Sequence, residues 1–343
     1  MKEAKNIAIV GATGLVGKTF LELLESDHFV NSNIHLVASK KSAGKKITFR
    51  NLKHQVNLLE SFDFSKVELA FFSAGSEVAK EYAPLAAEKG CLVIDNSSCF
   101  RRNKDIPLII PEVNSGELHG FPDNGIIANP NCSTIQMLVA LKPLHDLYKI
   151  NRIDVTTFQA VSGTGKLAQE ELLKQSEQEL QGEKIPISVY NKKIAFNALP
   201  HCDDFQENSY TFEEMKMVWE THKILDNNIE VTATCVRVPV LNGHSESIHL
   251  ETDKKINLAS VREVLNNTKG VELVNGEGQE SYITAAEIDG KDSVYIGRLR
   301  MDLWSKNRLN LWVVADNLRK GAALNAVQIA KLIITKYEEK INF

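Results

Sequence analysis

A glycine turn placed directly after a short apolar strand is the feature that most constrains this fold. Residues 6–10, NIAIV, predict a buried strand, and the turn GATGLVG follows at residues 11–17. The next residues, through Leu24, have the pattern of a helix. Such a strand–turn–helix unit lets the backbone approach a pyrophosphate, whose charge is attracted by the N–H groups at the start of the helix. Taken alone, the turn would also suit an ordinary tight connection.

Short β-branched runs alternate with helical patterns through the first third of the chain. This alternation is typical of a parallel sheet flanked by helices, so we expect an α/β fold with a Rossmann-type dinucleotide-binding domain. Further elements of this domain are predicted at Ile34–Ala38, Leu69–Ser73, Cys91–Asp95 and Gly125–Ala128 as strands and at Ser76–Lys89 as a helix.

Beyond residue 131 the pattern changes to long alternating strands that are not each separated by a helix. It predicts an α+β catalytic and dimerisation domain, residues 132–317, with a mixed, largely antiparallel sheet. Residues 318–343 are expected to return to the first domain, 1–131, through a closing helix at Leu318–Tyr337. The strands are predicted at Ile153–Val161, Ile229–Val240, Ser247–Thr252, Ser293–Met301 and Leu309–Val314, and two further helices at Thr134–Tyr148 and Lys166–Gln181.

The composition excludes several classes of protein. A length of 343 residues fits two domains, and 43% hydrophobic with 24% charged residues is typical of a globular protein. The net charge of −4 gives no reason to expect nucleic-acid or membrane binding. Five scattered cysteines without a CxxC pair favour neither disulfides nor a metal site. Because the first residues lack signal-peptide architecture, we expect a cytoplasmic protein.

The end of the second predicted strand favours NADP over NAD. It has the sequence ASKKS at residues 38–42, with no acidic residue. NAD-binding proteins usually place an Asp or Glu at this point for the ribose 2′-hydroxyl. Hydroxyl groups and lysines suit a 2′-phosphate instead, although an ordinary basic loop would have the same composition.

Cys132 is the candidate nucleophile. It follows NPN at residues 129–131 and stands at the start of a predicted helix, where the helix dipole and unpaired N–H groups stabilise a thiolate. Cys91 and Cys235 lie inside strand patterns and are expected to be inert. Position alone leaves an inert Cys132 equally open.

Seven motifs occur in order along the chain: GATGLVG (11–17), DNSSCFR (95–101), NPNCST (129–134), QAVSGTG (159–165), EEMK (213–216), the R-x6-H pair Arg237 and His244, and ADNLRKGAALNA (315–326). With them the chain resembles the aspartate-β-semialdehyde dehydrogenases. The resemblance implies NADPH-dependent, reversible conversion of L-aspartyl-4-phosphate to L-aspartate 4-semialdehyde and phosphate, on the route to lysine, threonine, methionine and diaminopimelate. It also implies a homodimer, with a homotetramer left open.

The resemblance further implies a role for each site residue. Cys132 would form a thioester, His244 would act as general acid/base, and Gln159 would orient the acyl intermediate. The implied substrate contacts are Arg237 for the α-carboxylate, Glu213 for the ammonium group, and Arg101 and Lys216 for phosphate. The implied cofactor contacts are Gly11, Thr13, Gly14, Leu15, Val16, Ser39, Lys41, Ser42, Ser162, Gly163 and Asn317.

Two alternative functions remain at this point. N-acetyl-γ-glutamyl-phosphate reductase uses the same thioester chemistry, but its capped amine would not need Glu213. A catalytically silent dinucleotide-binding sensor would need neither Cys132 nor His244. The choice of Arg101 over its neighbour Arg102 rests on sequence register alone.

Overall fold

The chain forms two compact units in a computed structural model that describes residues 6–25, 29–118 and 124–336. The first unit comprises the described parts of Met1–Asn131 and Ala322–Phe343, and the second is Cys132–Gly321. Residues 318–321, which the sequence analysis assigned to the first domain, belong to the second unit. The last residue of the predicted closing helix, Tyr337, lies outside the described residues.

The first unit contains a six-stranded parallel sheet. The strands of the whole unit are β1 Asn6–Val10, β2 Asn33–Ala38, β3 Lys46–Phe49, β4 Leu52–Gln55, β5 Asn57–Leu58, β6 Leu69–Phe72, β7 Leu92–Asp95 and β8 Ile126–Ala128. Its first helices are α1 Leu15–Leu24, α2 Ser76–Glu88 and α3 Pro111–Asn114. The sheet order is β5-β2-β1-β6-β7-β8. All five pairings are parallel, as the alternating pattern predicted.

The strands β3 and β4 form a separate antiparallel hairpin that the sequence analysis missed. Its two-residue turn, Arg50-Asn51, has positive φ at both positions, a geometry that usually requires Gly or Asn. The Arg50 guanidinium offsets the cost of this backbone conformation, because it donates hydrogen bonds to the carbonyl oxygens of Leu24, Phe29 and Ser32. A sequence pattern cannot signal a turn that depends on contacts this distant.

The second unit is built on a mixed sheet. Its strands are β9 Ile150–Gln159, β10 Glu230–Arg237, β11 His244–Thr252, β12 Val271–Leu273, β13 Val294–Met301 and β14 Arg308–Ala315, and its helices are α4 Cys132–Tyr148, α5 Lys166–Gln181, α6 Phe212–Ile224 and α7 Leu258–Asn266. The order is β10-β9-β11-β14-β13-β12. The β9–β10 and β12–β13 pairs are parallel and the other three are antiparallel, which matches the predicted mixed sheet.

The two faces of this sheet differ. Alternate residues such as Gln159 and Glu246 are buried on the face that carries α4 and α6. On the opposite face Thr234, Thr156, Ser247 and Trp312 are neighbours in register across four strands, and all are partly or fully exposed. We call these four residues the open-face row.

Helix α8, Leu324–Lys336, returns to the first unit, where Ala326, Ile329 and Ile333 join the core formed by β1, β6 and α1. The prediction started this helix at Leu318, but Arg319–Ala323 form a π-helical turn before it. Within the described ranges, the helices are all too short or too polar to cross a membrane.

Candidate active site

Cys132 is the first residue of α4 and is partly buried. The other four cysteines have surroundings that disfavour the thiolate. Burial raises the pKa of Cys202 to about 12, and it raises the pKa values of Cys91, Cys99 and Cys235 above the ordinary thiol value. Because the thiolate is the nucleophilic form, these four are poor nucleophiles.

Gln159 connects the start of α4 to α6. It is the last residue of β9 and is 1% exposed. Its Nε2 donates to Ser133 Oγ at 2.8 Å and to Glu213 Oε1 at 3.1 Å. Since Ser133 follows Cys132 directly, the amide of Gln159 is fixed beside the candidate nucleophile.

Glu213 is a buried carboxylate paired with a lysine. Lys216 Nζ donates to Glu213 Oε2 and to Asp203 Oδ2, each at 2.8 Å. Burial by itself would lower the pKa of Lys216, but Glu213 and Asp203 more than offset it and raise that pKa. Lys216 is therefore charged at neutral pH. The neighbouring Glu214 has a different role, since it forms a capping box with Thr211 at the start of α6.

The backbone of Ala160 holds two of the predicted site residues. Arg237 Nη1 donates to the carbonyl oxygen of Ala160 at 2.6 Å, and the N–H of Ala160 donates to His244 Nδ1 at 3.1 Å. A Cβ on Gly163 would lie 2.9 Å from Arg237 Nη1 and 3.2 Å from His244 Nε2. A side chain at position 163 would have to displace Arg237 or His244, so both members of the R-x6-H pair lie close to this glycine.

Both of these buried side chains have shifted ionisation. The His244 ring is fully buried, and burial together with Arg237 lowers its pKa to about 3, with Glu213 acting in the opposite direction. Burial also disfavours the Arg237 cation, but neighbouring groups that include Glu213 and Cys132 raise its pKa. The site therefore presents a fixed guanidinium beside a neutral imidazole.

Ser162 and Asn317 are joined on the other side of His244. The Ser162 hydroxyl and the Asn317 side chain are hydrogen-bonded at 3.0–3.1 Å. Asn317 Oδ1 also accepts the N–H of Gly243, the residue before His244, at 2.8 Å. Ser162 and Asn317 are thus linked to the residue next to His244.

Comparison with known proteins identifies the family. A model described as "Semialdehyde dehydrogenase, NAD binding domain" matches residues 6–121, and one described as "Semialdehyde dehydrogenase, dimerisation domain" matches residues 141–320. An aspartate-semialdehyde dehydrogenase of Legionella pneumophila is 52% identical over 344 residues, covering 100% of this chain and 99% of the relative. The chain belongs to the aspartate-semialdehyde dehydrogenase family.

Solved structures of this family have the same fold. Aspartate semialdehyde dehydrogenase II of Vibrio cholerae, complexed with ASA, matches with a TM-score of 0.95 and 48% identity, covering 98% of this chain and 100% of that one. The Candida albicans aspartate semialdehyde dehydrogenase with NADP matches with a TM-score of 0.74 and 25% identity, covering 96% and 98%. The predicted family, and a fold that combines a Rossmann-type domain and a dimerisation domain, are confirmed.

The family's dinucleotide-binding turn lies between β1 and α1. Gly11 has a φ of +90°, and a Cβ there would lie 2.2 Å from the carbonyl oxygen of Ser73, so the position requires glycine. Gly14 is the N-cap of α1, which has no acidic residue in its first turn. Leu15 and Val16 begin the helix and are half-buried. The helix N-terminus is therefore suited to an anionic ligand.

The loop after β2 approaches this turn. Thr13 Oγ1 and Ser42 Oγ lie 3.3 Å apart. Ser39, Lys40 and Lys41 are exposed, and no acid stands among them. Hydroxyl and ammonium groups near the glycine turn fit a phosphorylated ribose better than an unmodified one.

Arg101 and Arg102 differ sharply in burial. Arg101 is 8% exposed and donates to the carbonyl oxygens of Asn129, at 2.9 Å, and Asn96, at 2.8 Å. Arg102 is exposed. Arg101 is thereby fixed to the segment that ends β8.

Sequence reasoning missed three residues that position the site: Ala160, Ser133 and Asp203. Ala160 acts only through its backbone, which residue identity does not reveal. Ser133 is part of the NPNCST motif, so its proximity to Cys132 was visible, but its bond to Gln159 was not. Asp203 meets Lys216 across thirteen positions of chain, and no spacing rule covers such a contact.

Proposed function

We propose that this chain acts as an aspartate-semialdehyde dehydrogenase, which reductively dephosphorylates L-aspartyl-4-phosphate to L-aspartate 4-semialdehyde through a thioester on Cys132. The observation that carries the proposal is the convergence beside Ser133 and Cys132 of Gln159 and Glu213, which come from different elements of one unit. The names of the relatives agree with it.

In the proposed mechanism the Cys132 thiolate adds to the substrate's acyl carbon. Gln159, fixed by Ser133 and Glu213, holds the acyl group beside the sulfur. Arg237 pairs with the α-carboxylate, for which a guanidinium provides two parallel donors. Glu213 accepts the substrate's ammonium group. The Arg237 cation and the Glu213 anion would together distinguish a substrate with a free ammonium group from one whose amine is capped.

Phosphate binding is assigned to Lys216 and Arg101. An ammonium group has three N–H donors, of which Lys216 uses two on Glu213 and Asp203. The third can reach a phosphate oxygen. Arg101 is favoured over Arg102 because carbonyl contacts orient its guanidinium.

NADP is the proposed cofactor. The residues assigned to it in the first unit are Gly11, Thr13, Gly14, Leu15, Val16, Ser39, Lys41 and Ser42, and in the second unit Ser162, Gly163 and Asn317. The glycine turn, the acid-free α1 terminus and the exposed lysines support the pyrophosphate and the 2′-phosphate. When bound, the nicotinamide supplies hydride to the acyl carbon or accepts it. The amide and hydroxyl of Asn317 and Ser162 would orient the ring.

The proposed assembly is a homodimer formed through the open-face row, Thr234, Thr156, Ser247 and Trp312. These side chains are mostly small and uncharged, and they stay partly or fully exposed, although Trp312 also packs against the small cluster that includes Ala285 and Val314. The matched dimerisation model spans the whole sheet. Two such faces related by a two-fold axis would bury each other.

The function is tested by trapping the acyl enzyme. Protein mixed with aspartate semialdehyde and NADP⁺, without phosphate, is quenched and digested for mass spectrometry. We expect an aspartyl adduct on Cys132, loss of adduct and turnover in Cys132→Ala, and both retained in the control Cys99→Ala, which changes another partly buried thiol. N-acetylglutamate semialdehyde should give no adduct. Turnover by Cys132→Ala, or an adduct on another cysteine, would contradict the proposal.

A further inference from the structure

Three asparagine side chains meet in the first unit, and each comes from a different one of the seven motifs. Asn96 belongs to DNSSCFR, Asn129 to NPNCST and Asn325 to ADNLRKGAALNA. Asn325 Nδ2 donates to Asn129 Oδ1 at 2.7 Å, and Asn129 Nδ2 donates to Asn96 Oδ1 at 2.6 Å. We call these three residues the amide chain. It joins α8 to the carboxyl ends of β8 and β7, and it has no role in the mechanism described above.

Backbone carbonyl groups fix the direction of every amide in the chain. Each Nδ2 also donates to one carbonyl oxygen, and these oxygens belong to Ile109, Ala322 and Phe72. A carbonyl oxygen can only accept, so reversing any of the three amides would place oxygen against oxygen. Asn325 and Asn129 are 0% and 1% exposed. At that burial an unmatched amide is costly, and neither aspartate nor leucine provides the donors that asparagine does.

The buried Arg101 guanidinium is held by the backbone carbonyl oxygens of two members of the chain. Its Nε donates to Asn129 at 2.9 Å and its Nη2 to Asn96 at 2.8 Å. Because a guanidinium is planar, two such bonds fix both its plane and its direction. The bond between the two side chains locks Asn129 to Asn96, and Asn325 holds Asn129 from α8. The orientation of the cation therefore depends on the amide chain.

Building on the function proposed above, we propose that the amide chain positions Arg101 for phosphate. Asn325 holds Asn129, Asn129 holds Asn96, and the carbonyl oxygens of the last two orient the guanidinium that pairs with the phosphate group. An apolar contact would pack α8 against the sheet without removing amides from water. What the amides add is direction, because each hydrogen bond requires a donor and an acceptor in a defined geometry. The three asparagines act through Arg101 and are positioning residues.

The amide chain should affect the step that uses phosphate. In the oxidative direction, hydride transfer to NADP⁺ and formation of the thioester precede the entry of phosphate. A positioning defect at Arg101 should therefore raise the KM for phosphate and leave the first turnover of NADP⁺ unchanged. A general loosening of the first unit, which carries the glycine turn, would instead raise the KM for NADP⁺ as well.

Asn325→Asp is the first test, because it replaces Nδ2 by an oxygen that faces two acceptors, Asn129 Oδ1 and the Ile109 carbonyl oxygen. With aspartate semialdehyde, NADP⁺ and phosphate as substrates, we expect the KM for phosphate to rise about tenfold. The KM values for the other two substrates should stay within about twofold of the parent values. Without phosphate, stopped-flow absorbance should show an NADPH burst equal to that of the parent protein.

Asn33→Asp is the matched control. Asn33 Nδ2 donates to Asn6 Oδ1 at 3.2 Å, so this variant breaks another bond between two amides. The bond is exposed and lies at the amino-terminal ends of β1 and β2, the opposite end of the parallel sheet from Asn129. The KM for phosphate should stay at the parent value in Asn33→Asp.

A double-mutant cycle separates positioning from a general structural effect. Arg101→Ala should raise the KM for phosphate further than Asn325→Asp does. Adding Asn325→Asp to it should cause no additional rise, because the side chain through which Asn325 acts is gone. Losses that add in the double variant, or a parental phosphate KM in Asn325→Asp, would overturn the proposal. Asn325→Ser keeps one donor and takes the same place in the cycle if circular dichroism shows that the aspartate variant is unfolded.

An inactive parent protein and an unresponsive phosphate KM have different meanings. A parent protein that produces no NADPH from aspartate semialdehyde would contradict the assigned function and, with it, the phosphate role of the amide chain. An active parent protein whose phosphate KM does not respond to Asn325→Asp would contradict the positioning role and leave the function in place.

Discussion

Glu246 is a carboxyl group enclosed in the second unit without a compensating charge. It lies on β11, two residues after His244 and on the same buried face, and it is fully buried. Neither carboxyl oxygen has a hydrogen-bond partner in the described part of the chain. Burial raises its pKa well above the ordinary value, and the nearby Gln136 side chain, which does not reach hydrogen-bond geometry with the carboxyl group, acts in the opposite direction. Glu246 therefore keeps its proton in the folded protein to a higher pH than it does in the unfolded chain.

This proton makes stability depend on pH. In the unfolded chain Glu246 ionises above about pH 4.5, whereas the folded chain keeps its proton because the folded pKa is raised. The folded state then binds more protons than the unfolded state, so the free energy of unfolding falls as pH rises through this window. Glu246→Gln removes the ionisation. Its stability relative to the parent should increase with pH, by at most about 1.4 kcal/mol per pH unit.

The measurement is urea denaturation of both proteins at several pH values between about 5 and 8. Glu183→Gln, at an exposed position, is the matched control for replacing a glutamate. Parallel pH curves for Glu246→Gln and the parent would show that Glu246 is ionised in the folded state.

At the residue scale, the motifs predicted which side chains meet but not what holds them there. Arg237 and His244 were paired as one motif, whereas Gly163 was expected only as a cofactor contact. The Ala160 backbone contact that unites them is a tertiary hydrogen bond, which no local pattern encodes. Glu246 likewise gives no sequence signal, because an alternating strand normally buries an apolar residue at that position.

Elements with strong periodicity were predicted well, and those that depend on tertiary contacts were not. The strands β1 and β6 are short buried runs between helices, and their bounds were predicted to within one residue. Helix α6 was missed although Thr211 and Glu214 form a capping box, because its sequence has little apolar periodicity. The β3–β4 hairpin was missed because distant carbonyl groups stabilise its arginine turn.

Helix α8 illustrates how one element stabilises a unit far from it in sequence. Ile333 is 0% exposed in the core of the first unit. Ile333→Ala should destabilise that unit by roughly 2–5 kcal/mol through the lost burial and the remaining cavity. At the exposed Thr335, an alanine should change stability by no more than about 0.5 kcal/mol.

Two probes separate the units in this experiment. All three tryptophans, Trp219, Trp304 and Trp312, lie in the second unit, whereas far-ultraviolet circular dichroism reports both. Ile333→Ala should shift the dichroism transition to lower urea concentrations by more than it shifts the fluorescence transition. Unfolding midpoints equal to those of the parent protein by both probes would contradict the assigned core position.

For the whole molecule, the proposed dimer depends on the open-face row. Ser247→Arg places a long cation in the middle of that row, and two copies facing across a two-fold axis would bring like charges together. Sedimentation velocity should then find monomers where the parent protein forms dimers. Asn191→Arg adds the same charge at another exposed position and should leave the dimer intact. A dimeric Ser247→Arg protein would place the interface elsewhere.

The order of the two units along the chain has a consequence for synthesis on the ribosome. The first unit begins at the amino terminus, but it needs α8, which emerges only after all of Cys132–Gly321. Part of the apolar surface of its early strands stays uncovered while about two hundred further residues are translated, at about 5–20 residues per second. The part of the protein that is made first is the part that is finished last.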